Sequence, residues 1–140
     1  MDATLPSWAA EYVGLPYRKH GRDRSGVDCW GLLCLIWQER LGGPLAAYEG
    51  VDWYRGQTPA RIGSDALAYA SQYTEIPLGT EQLGDGLLLR MRGHPFHVGL
   101  VLAPGWMIHT HEAAGSVVER YRTMTWEKRI SAVYRPEPIR

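Results

Sequence analysis

The pattern of apolar and polar residues changes character near the middle of the chain. In the first half, residues 29–41 carry a wide apolar arc that ends in a polar Gln-Glu-Arg run. This pattern predicts an amphipathic helix. Gly42, Gly43 and Pro44 follow directly and end the helix, because glycine and proline do not continue helical backbone.

Two weaker helices are predicted in the same half. Thr4 can cap a short helix that runs to about Val13, where Gly14 would stop it. A further helix is expected somewhere within residues 59–72, and Gly63 weakens it.

The second half consists of short apolar or alternating segments separated by turn residues, which is the pattern of β-strands. The predicted strands are 86–91, 97–102, 106–111, 116–121 and 131–135. Taken in chain order they predict an antiparallel meander. Helices followed by strands predict an α+β fold in which the sheet packs on the central helix.

Length and charge limit the classes of function. The 140 residues predict one domain, residues 1–140, and the 15 basic and 15 acidic residues give no net charge to attract nucleic acid. No run of 18 apolar residues predicts a membrane span, and the N-terminus has no apolar stretch of signal-peptide length. We therefore expect synthesis in the cytoplasm without a signal peptide.

Aromatic residues are unevenly distributed among types, with six Trp and eight Tyr against one Phe. Trp and Tyr suit carbohydrate or peptide surfaces, but they also fill cores, and composition does not separate the two. Trp53, Tyr54 and Trp126 are candidates for a sugar-binding groove or a docking surface.

The two cysteines lie in the predicted central helix, where their Cα atoms would be roughly 8–9 Å apart, too far for a disulfide. Cys34 fits a plain buried residue. Cys29 would be the first helical residue after an Asp28 N-cap, and there the helix dipole lowers a thiol's pKa while the Asp28 charge opposes it. By position alone, a reactive thiol and a small core residue are equally consistent with Cys29.

Histidines cluster on two adjacent predicted strands. A hairpin with a three-residue loop at 103–105 places His97 opposite His111 and Gly99 opposite His109. His97 and His109 are then diagonal neighbours on one face, within side-chain reach. Such a cluster indicates function more strongly than a single strand histidine does.

The same residues raise the question of a metal site. His94, His97, His109 and His111, with Cys29, offer enough ligands, but their spacing matches no common zinc motif. The sequence therefore predicts no metal and no cofactor.

Several motifs, in order, resemble the NlpC/P60 family of papain-like cysteine peptidases. They span about residues 12–120 and read LPY ending at Tyr17, GVDCWG at 26–31, LGDGLLL at 83–89, HVGLVL at 97–102 and MIHTH at 107–111. The resemblance implies a papain-like fold and hydrolysis of bacterial cell-wall peptides.

The resemblance also implies roles for the thiol and the imidazoles. Cys29 would be the nucleophile, His97 the general base and His109 the polar third residue that orients His97. His111 is the rival for that third role, because the simple hairpin register places it directly opposite His97.

Further residues would form the oxyanion and substrate subsites. The Tyr17 hydroxyl would help to bind the oxyanion, and Asp28 would either meet a substrate amine or only cap the helix. Trp30 replaces the serine that commonly follows the cysteine. The substrate implied by the family is a peptidoglycan stem peptide, cut at a γ-D-glutamyl–diamino-acid bond.

The DCWG form is similar to the phage-tail and gene-transfer-agent branch of the family. That branch implies tail-tip or baseplate hub proteins as partners, and delivery to the periplasm or cell wall on a phage-like tail. Two alternatives remain: a non-catalytic structural or plug module of a tail tip, and an acyltransferase or amidase on the same fold.

The basic run at 18–24, which includes His20, is expected to be a solvated loop. Its alternative role is contact with acidic wall polymers or a partner subunit.

Overall fold

The computed structural model describes residues 4–45, 73–91 and 94–136 of the chain, with side chains not described for Tyr73 and for residues 91–96. The predicted helix within 59–72 and the aromatic pair Trp53–Tyr54 lie outside the described residues.

The central helix, α1, runs from Cys29 to Arg40, and its prediction is confirmed. Its apolar residues Leu32, Leu33 and Ile36 are fully buried. The chain leaves the helix through Gly42, whose φ of 93° is the left-handed conformation that favours glycine. No helix in the described segments has the length and apolar character needed to span a membrane.

Strands form a small ribbon before α1 and a large sheet after it. The strands are β1 (Arg22–Asp23), β2 (Gly26–Val27), β3 (Tyr73–Ile76), β4 (Gly86–Met91), β5 (His94–Ala103), β6 (Trp106–His111), β7 (Gly115–Arg120) and β8 (Ile130–Pro136). Five of them correspond to the five predicted strands. The short strands β1, β2 and β3 were not predicted.

The large sheet has the order β3-β8-β4-β5-β6-β7. Strands β4 to β7 form the predicted antiparallel meander, but the prediction is wrong for β8, which crosses back to pair with β4 instead of β7. This pairing places Val133 of β8 beside Leu87 in an apolar cluster that also holds Tyr121 and Trp126. The apolar surface buried in that cluster explains the crossover.

Each face of the meander packs against a different apolar layer. Leu100, Leu102 and Ile108 cluster with the helix residues of α1. Val101 and Met107, which point to the other face because strand side chains alternate, cluster with Leu87 and Trp126 instead. The sheet is therefore covered by the helix on one face and by the segments around β7 and β8 on the other.

The N-terminal helix is shorter than predicted. Only Ala9–Tyr12 is helical, as one 3₁₀ turn, whereas a helix from Thr4 to Val13 was expected. The backbone N–H of Ala9 donates to Pro6 and that of Glu11 donates to Trp8, which is the i to i+3 pattern. So short a segment does not recover the cost of nucleating an α-helix.

The segment after this turn is bound to the outer edge of the sheet. Gly14 donates to the Ser116 carbonyl, Leu15 donates to the Ser116 hydroxyl, and Ser116 donates back to the Leu15 carbonyl. Tyr17 then forms a parallel bridge with Val27, the last residue of β2. These contacts hold the Tyr17 segment beside the chain that leads into α1.

Candidate active site

The thiol of Cys29 lies at the first turn of α1. Asp28 is the N-cap, and its carboxylate accepts the backbone N–H of Gly31 at 2.7 Å. The Cys29 sulfur accepts hydrogen bonds from the backbone N–H groups of Val98 and Trp30. Val98 directly follows His97, so the start of α1 lies against the β5 backbone one residue from that histidine.

Asp28 is also the anchor of the loop before the helix. The carboxylate is fully buried and accepts from the Arg22 guanidinium at 2.7 Å and from the His20 backbone N–H at 3.1 Å. These contacts occupy it with protein donors and leave it no exposed surface for a substrate amine.

The basic loop is only partly solvated: Arg18, Asp23 and Arg24 are exposed as expected, whereas Gly21 is buried and Arg22 turns inward. Arg22 is largely buried against Asp28, and Arg24 pairs with Glu39 on α1 at 2.8 Å. His20 has a φ of 61° and is half-buried. A buried carboxylate requires a charged or hydrogen-bonding partner, which explains why an arginine is drawn inward.

The sequence left the pKa of the Cys29 thiol between two opposing effects, and in this structure the effects that raise it are the larger. Burial, followed by the Asp28 charge, raises the pKa of the Cys29 thiol to about 12. Three contacts act to lower that pKa, namely the hydrogen bonds from Val98 and Trp30 and the Arg22 charge. Together they do not offset the effects of burial and of Asp28. Desolvation disfavours the thiolate more than the helix start favours it. Cys29 and Cys34 are not joined by a disulfide, and both are buried.

Three polar side chains form a hydrogen-bonded row on β5, β6 and β7. His97 Nε2 lies 2.8 Å from His109 Nδ1, and His109 Nε2 makes a short hydrogen bond to the Glu119 carboxylate. A carboxylate only accepts, so the shared proton belongs to His109 Nε2 and its Nδ1 is an acceptor. His97 Nε2 then donates to His109, and His97 Nδ1 keeps its lone pair.

The hairpin that carries these rings has the predicted pairing but a tighter turn. Leu100 pairs with Ile108, as the predicted register requires. The loop is residues 104–105 because Ala103 pairs with Trp106, and a bulge restores the register one step further on. Gly99 lies beside His109, where a Cβ would be 3.6 Å from the His109 Cβ.

The electrostatics of the row keep both imidazoles neutral. Burial, then the His109 and His111 charges, lowers the pKa of His97 to about 3. Burial also lowers the pKa of His109, although Glu119 opposes it. Burial acts to raise the pKa of Glu119, but hydrogen bonds from His109 and His111 outweigh it and that pKa is lowered.

Sequence reasoning missed Glu119 and misplaced Trp126. Trp126 is buried, with its ring edge-on to His109 at a centroid distance of 5.0 Å, and is not part of an exposed groove. Extending hairpin reasoning to the next pair of strands would have found Glu119, because Met107 pairs with Glu119 and His109 with Val117. That register makes Glu119 a diagonal neighbour of His109.

The other predicted residues lie around this row. His111 Nε2 is 3.3 Å from the Glu119 carboxylate, and its ring centroid is 4.7 Å from that of His109. Tyr17 and Trp30 are half-buried, and Trp30 packs partly against the core under α1. His94 lies on β5, with its side chain outside the described part of the structure.

Within the described part of the chain, one group of side chains has the geometry to hold a metal ion. One ligand atom each of His109, His111 and Glu119 lie within 4.8 Å of one another. Only His109 and His111 of this set are among the possible metal ligands that the sequence suggests, and Glu119 is not.

A thiol at a helix start beside a sheet that carries a hydrogen-bonded imidazole pair defines the papain-like class of architecture. The NlpC/P60 family model matches residues 14–135, and the chain belongs to that family. The predicted α+β NlpC/P60 fold, with one helix packed on an antiparallel sheet, is confirmed.

Similar curated proteins include Protein P54 of Enterococcus faecium, 26% identical over 82% of this chain and 19% of its own length. Murein DD-endopeptidase MepS/Murein LD-carboxypeptidase of Escherichia coli (strain K12) is 21% identical over 90% of this chain and 58% of its own length. The chain thus spans about a fifth of the first relative and less than two thirds of the second.

Solved structures show the same fold. The NlpC/p60 domain of the peptidoglycan hydrolase SagA has a TM-score of 0.62 at 22% identity, covering 90% of this chain and 91% of that one. An NlpC/P60 family protein from Bacillus cereus has a TM-score of 0.67 at 18% identity, covering 98% of this chain and 42% of that one.

Proposed function

We propose that this protein is a cysteine peptidase that hydrolyses amide bonds in the stem peptides of peptidoglycan. The observation that carries the proposal is the hydrogen-bonded row His97–His109–Glu119, which begins one residue before Val98, whose backbone N–H donates to the Cys29 sulfur. Membership of the NlpC/P60 family supports it, as do relatives named as a murein endopeptidase and a peptidoglycan hydrolase.

In the resting site the thiol and the imidazole are both neutral. As the Cys29 sulfur attacks the amide carbonyl carbon, His97 Nδ1 takes the thiol proton and becomes an imidazolium. The carbonyl oxygen becomes an oxyanion that the Cys29 backbone N–H and the Tyr17 hydroxyl stabilise. His97 then gives its proton to the leaving amine, which breaks the C–N bond and leaves a thioester.

Water completes the reaction. His97 removes a proton from water, whose oxygen attacks the thioester carbon, and the sulfur leaves and is reprotonated. Throughout, the Glu119 carboxylate keeps His109 Nδ1 an acceptor, so that His97 Nδ1 stays available as the base. In this proposal His109 orients the base and Glu119 is a positioning residue that acts through His109.

For the bond within the stem peptide we propose the γ-D-glutamyl–diamino-acid linkage. The motif resemblance at Tyr17, Asp28 and Cys29 supports this choice. The half-buried Trp30 follows the nucleophile and is suited to contact the substrate backbone. Mass spectrometry of products from purified muropeptides tests the assignment, and cleavage between two diamino-acid side chains would contradict it.

For the biological setting we propose carriage on a phage-like tail, made in the cytoplasm and delivered to the periplasm or cell wall, with tail-tip or baseplate hub proteins as partners. The DCWG form at residues 28–31 supports it. Mass spectrometry of purified particles should detect the chain together with tail proteins. Particles that lack it, in cells that contain it, would contradict the proposal.

Digestion of purified peptidoglycan tests the peptidase activity. Wild-type protein should release new amino termini, Cys29→Ala should release none, and Cys34→Ala should retain activity because that thiol lies in the core. If folded wild-type protein binds sacculi but releases no termini, the plug-module alternative is supported and the peptidase proposal fails.

A further inference from the structure

We infer that the His109–His111–Glu119 cluster is a zinc site, and that Zn²⁺ bound there switches the peptidase off. One nitrogen of each imidazole and one carboxylate oxygen lie within 4.8 Å of one another, and both Nε2 atoms face the Glu119 carboxylate. Two imidazoles and a carboxylate are ligands that Zn²⁺ accepts, with water in the fourth tetrahedral position.

The distances suit the ion after movement of the two accessible ligands, because the set spans up to 4.8 Å and His111 must approach the buried His109. Ligand atoms around tetrahedral zinc are separated by roughly 3.3 Å, given metal–ligand bonds near 2.0–2.1 Å. His111 Nε2 already lies 3.3 Å from the Glu119 oxygen. Glu119 and His109 are closer than this because they share a hydrogen bond, so the carboxylate must move outward to admit the ion.

Burial gives the cluster one fixed ligand and two accessible ones. The His109 side chain is 0% exposed, whereas those of Glu119 and His111 are 38% and 39% exposed. The ion can therefore arrive from solvent, where the partly exposed Glu119 and His111 side chains can adjust to it. His97 Nε2 hydrogen-bonds to the other nitrogen of His109, which is the outer contact that typically orients a metal-binding imidazole.

Zinc at this position changes which nitrogen carries the proton in both His109 and His97. Coordination needs the lone pair of His109 Nε2, so the proton there must move to Nδ1. His109 Nδ1 then donates to His97 Nε2, and the proton of His97 shifts to its own Nδ1. No proton is lost overall, but the His97 nitrogen needed as a base now carries hydrogen.

Zinc inhibition rests on the proposed peptidase function, whereas zinc binding does not. Ordinary zinc inhibition of a thiol enzyme would use the Cys29 sulfur, so binding is measured in the Cys29→Ala chain. Isothermal titration with ZnCl₂ should give one ion per chain. Adding His111→Ala or Glu119→Gln should weaken that affinity more than tenfold, while adding Glu112→Gln, an exposed neighbour, should not.

Absence of binding in Cys29→Ala, or equal affinity in all these variants, overturns the site. Circular dichroism of each variant identifies any that fails to fold, and the half-exposed His111 and Glu119 provide two independent substitutions.

The inhibition is measured in the wild type. Zn²⁺ should inhibit hydrolysis there, and addition of EDTA should restore it. Inhibition should weaken more than tenfold in His111→Ala, relative to that variant's metal-free rate. Binding without inhibition overturns the switch, and a metal-free wild type without activity overturns the peptidase proposal alone.

Discussion

Glu119 is half-exposed, yet its carboxylate determines which nitrogen of two buried imidazoles carries a proton. We expect Glu119→Gln to lower kcat by roughly 10- to 100-fold, since the amide can present a donor to His109 and favour the wrong tautomer. KM should change little, because Glu119 contacts no reacting atom in the proposed mechanism. Steady-state kinetics on a purified muropeptide measure both constants.

Glu112→Gln is the matched control for this substitution. Glu112 is an exposed carboxylate in the turn between β6 and β7, so its loss should leave kcat unchanged. Equal kcat values for Glu119→Gln and wild type would show that the row works without its carboxylate.

The Cys29 thiol should remain protonated near neutral pH. With its pKa raised to about 12, the thiolate fraction grows about tenfold for each pH unit below that value. In a Cys34→Ala background, the rate of alkylation by iodoacetamide should therefore climb steadily from pH 7 to pH 10. A rate that is already constant across this range would reveal a preformed thiolate.

At the scale of elements, the start of α1 fits closely against the loop that leads into it. A Cβ added at Gly31 would collide with the carbonyl oxygen of Gly21 and lie 3.0 Å from the Arg22 guanidinium. Gly31→Ala should therefore lower the free energy of unfolding by about 1–3 kcal/mol, although alanine is the better helix former. Urea denaturation measures the change.

Gly86→Ala in β4 serves as the control for Gly31→Ala. Its added Cβ would meet neighbours only at 3.5 Å and beyond, which is ordinary contact. If both substitutions have the same effect on unfolding, the close approach at Gly31 does not constrain the helix start.

The antiparallel strands and α1 were predictable because their signals are local. Period-two alternation and glycine-bounded turns identified β4 to β7, and a capped apolar arc identified α1. The position of β8 was not predictable, because its pairing with β4 depends on an apolar cluster assembled from distant segments. The same limit applies to β1, β2 and β3, which are too short for a periodic pattern.

At the scale of the whole molecule, burying neutral histidines makes stability depend on pH. The unfolded chain binds a proton at His97 with a pKa near 6.5, whereas the folded chain does so only near pH 3. Stability is therefore greatest above pH 6.5, and His97 alone lowers it by about 1.4 kcal/mol for each pH unit below 6.5, down to about pH 3. Urea midpoints between pH 7 and pH 5 should show this loss.

His97→Gln should reduce the number of protons taken up on unfolding by about one, so the unfolding free energy should change less steeply with pH. The contribution of His109, whose pKa is also lowered, should remain. Parallel slopes for wild type and His97→Gln would mean that His97 is not held neutral by the fold.

The sequence by itself determined the helix that presents Cys29, the cap at Asp28 and the strand register that makes His97 and His109 neighbours. These features depend on side-chain periodicity and on turns, which act over a few residues. Only the tertiary structure decided that Asp28 is buried with Arg22, that the thiol is desolvated, and that Glu119 ends the imidazole row. Burial and long-range contact set those properties, because the free energy of a charge depends on everything that surrounds it.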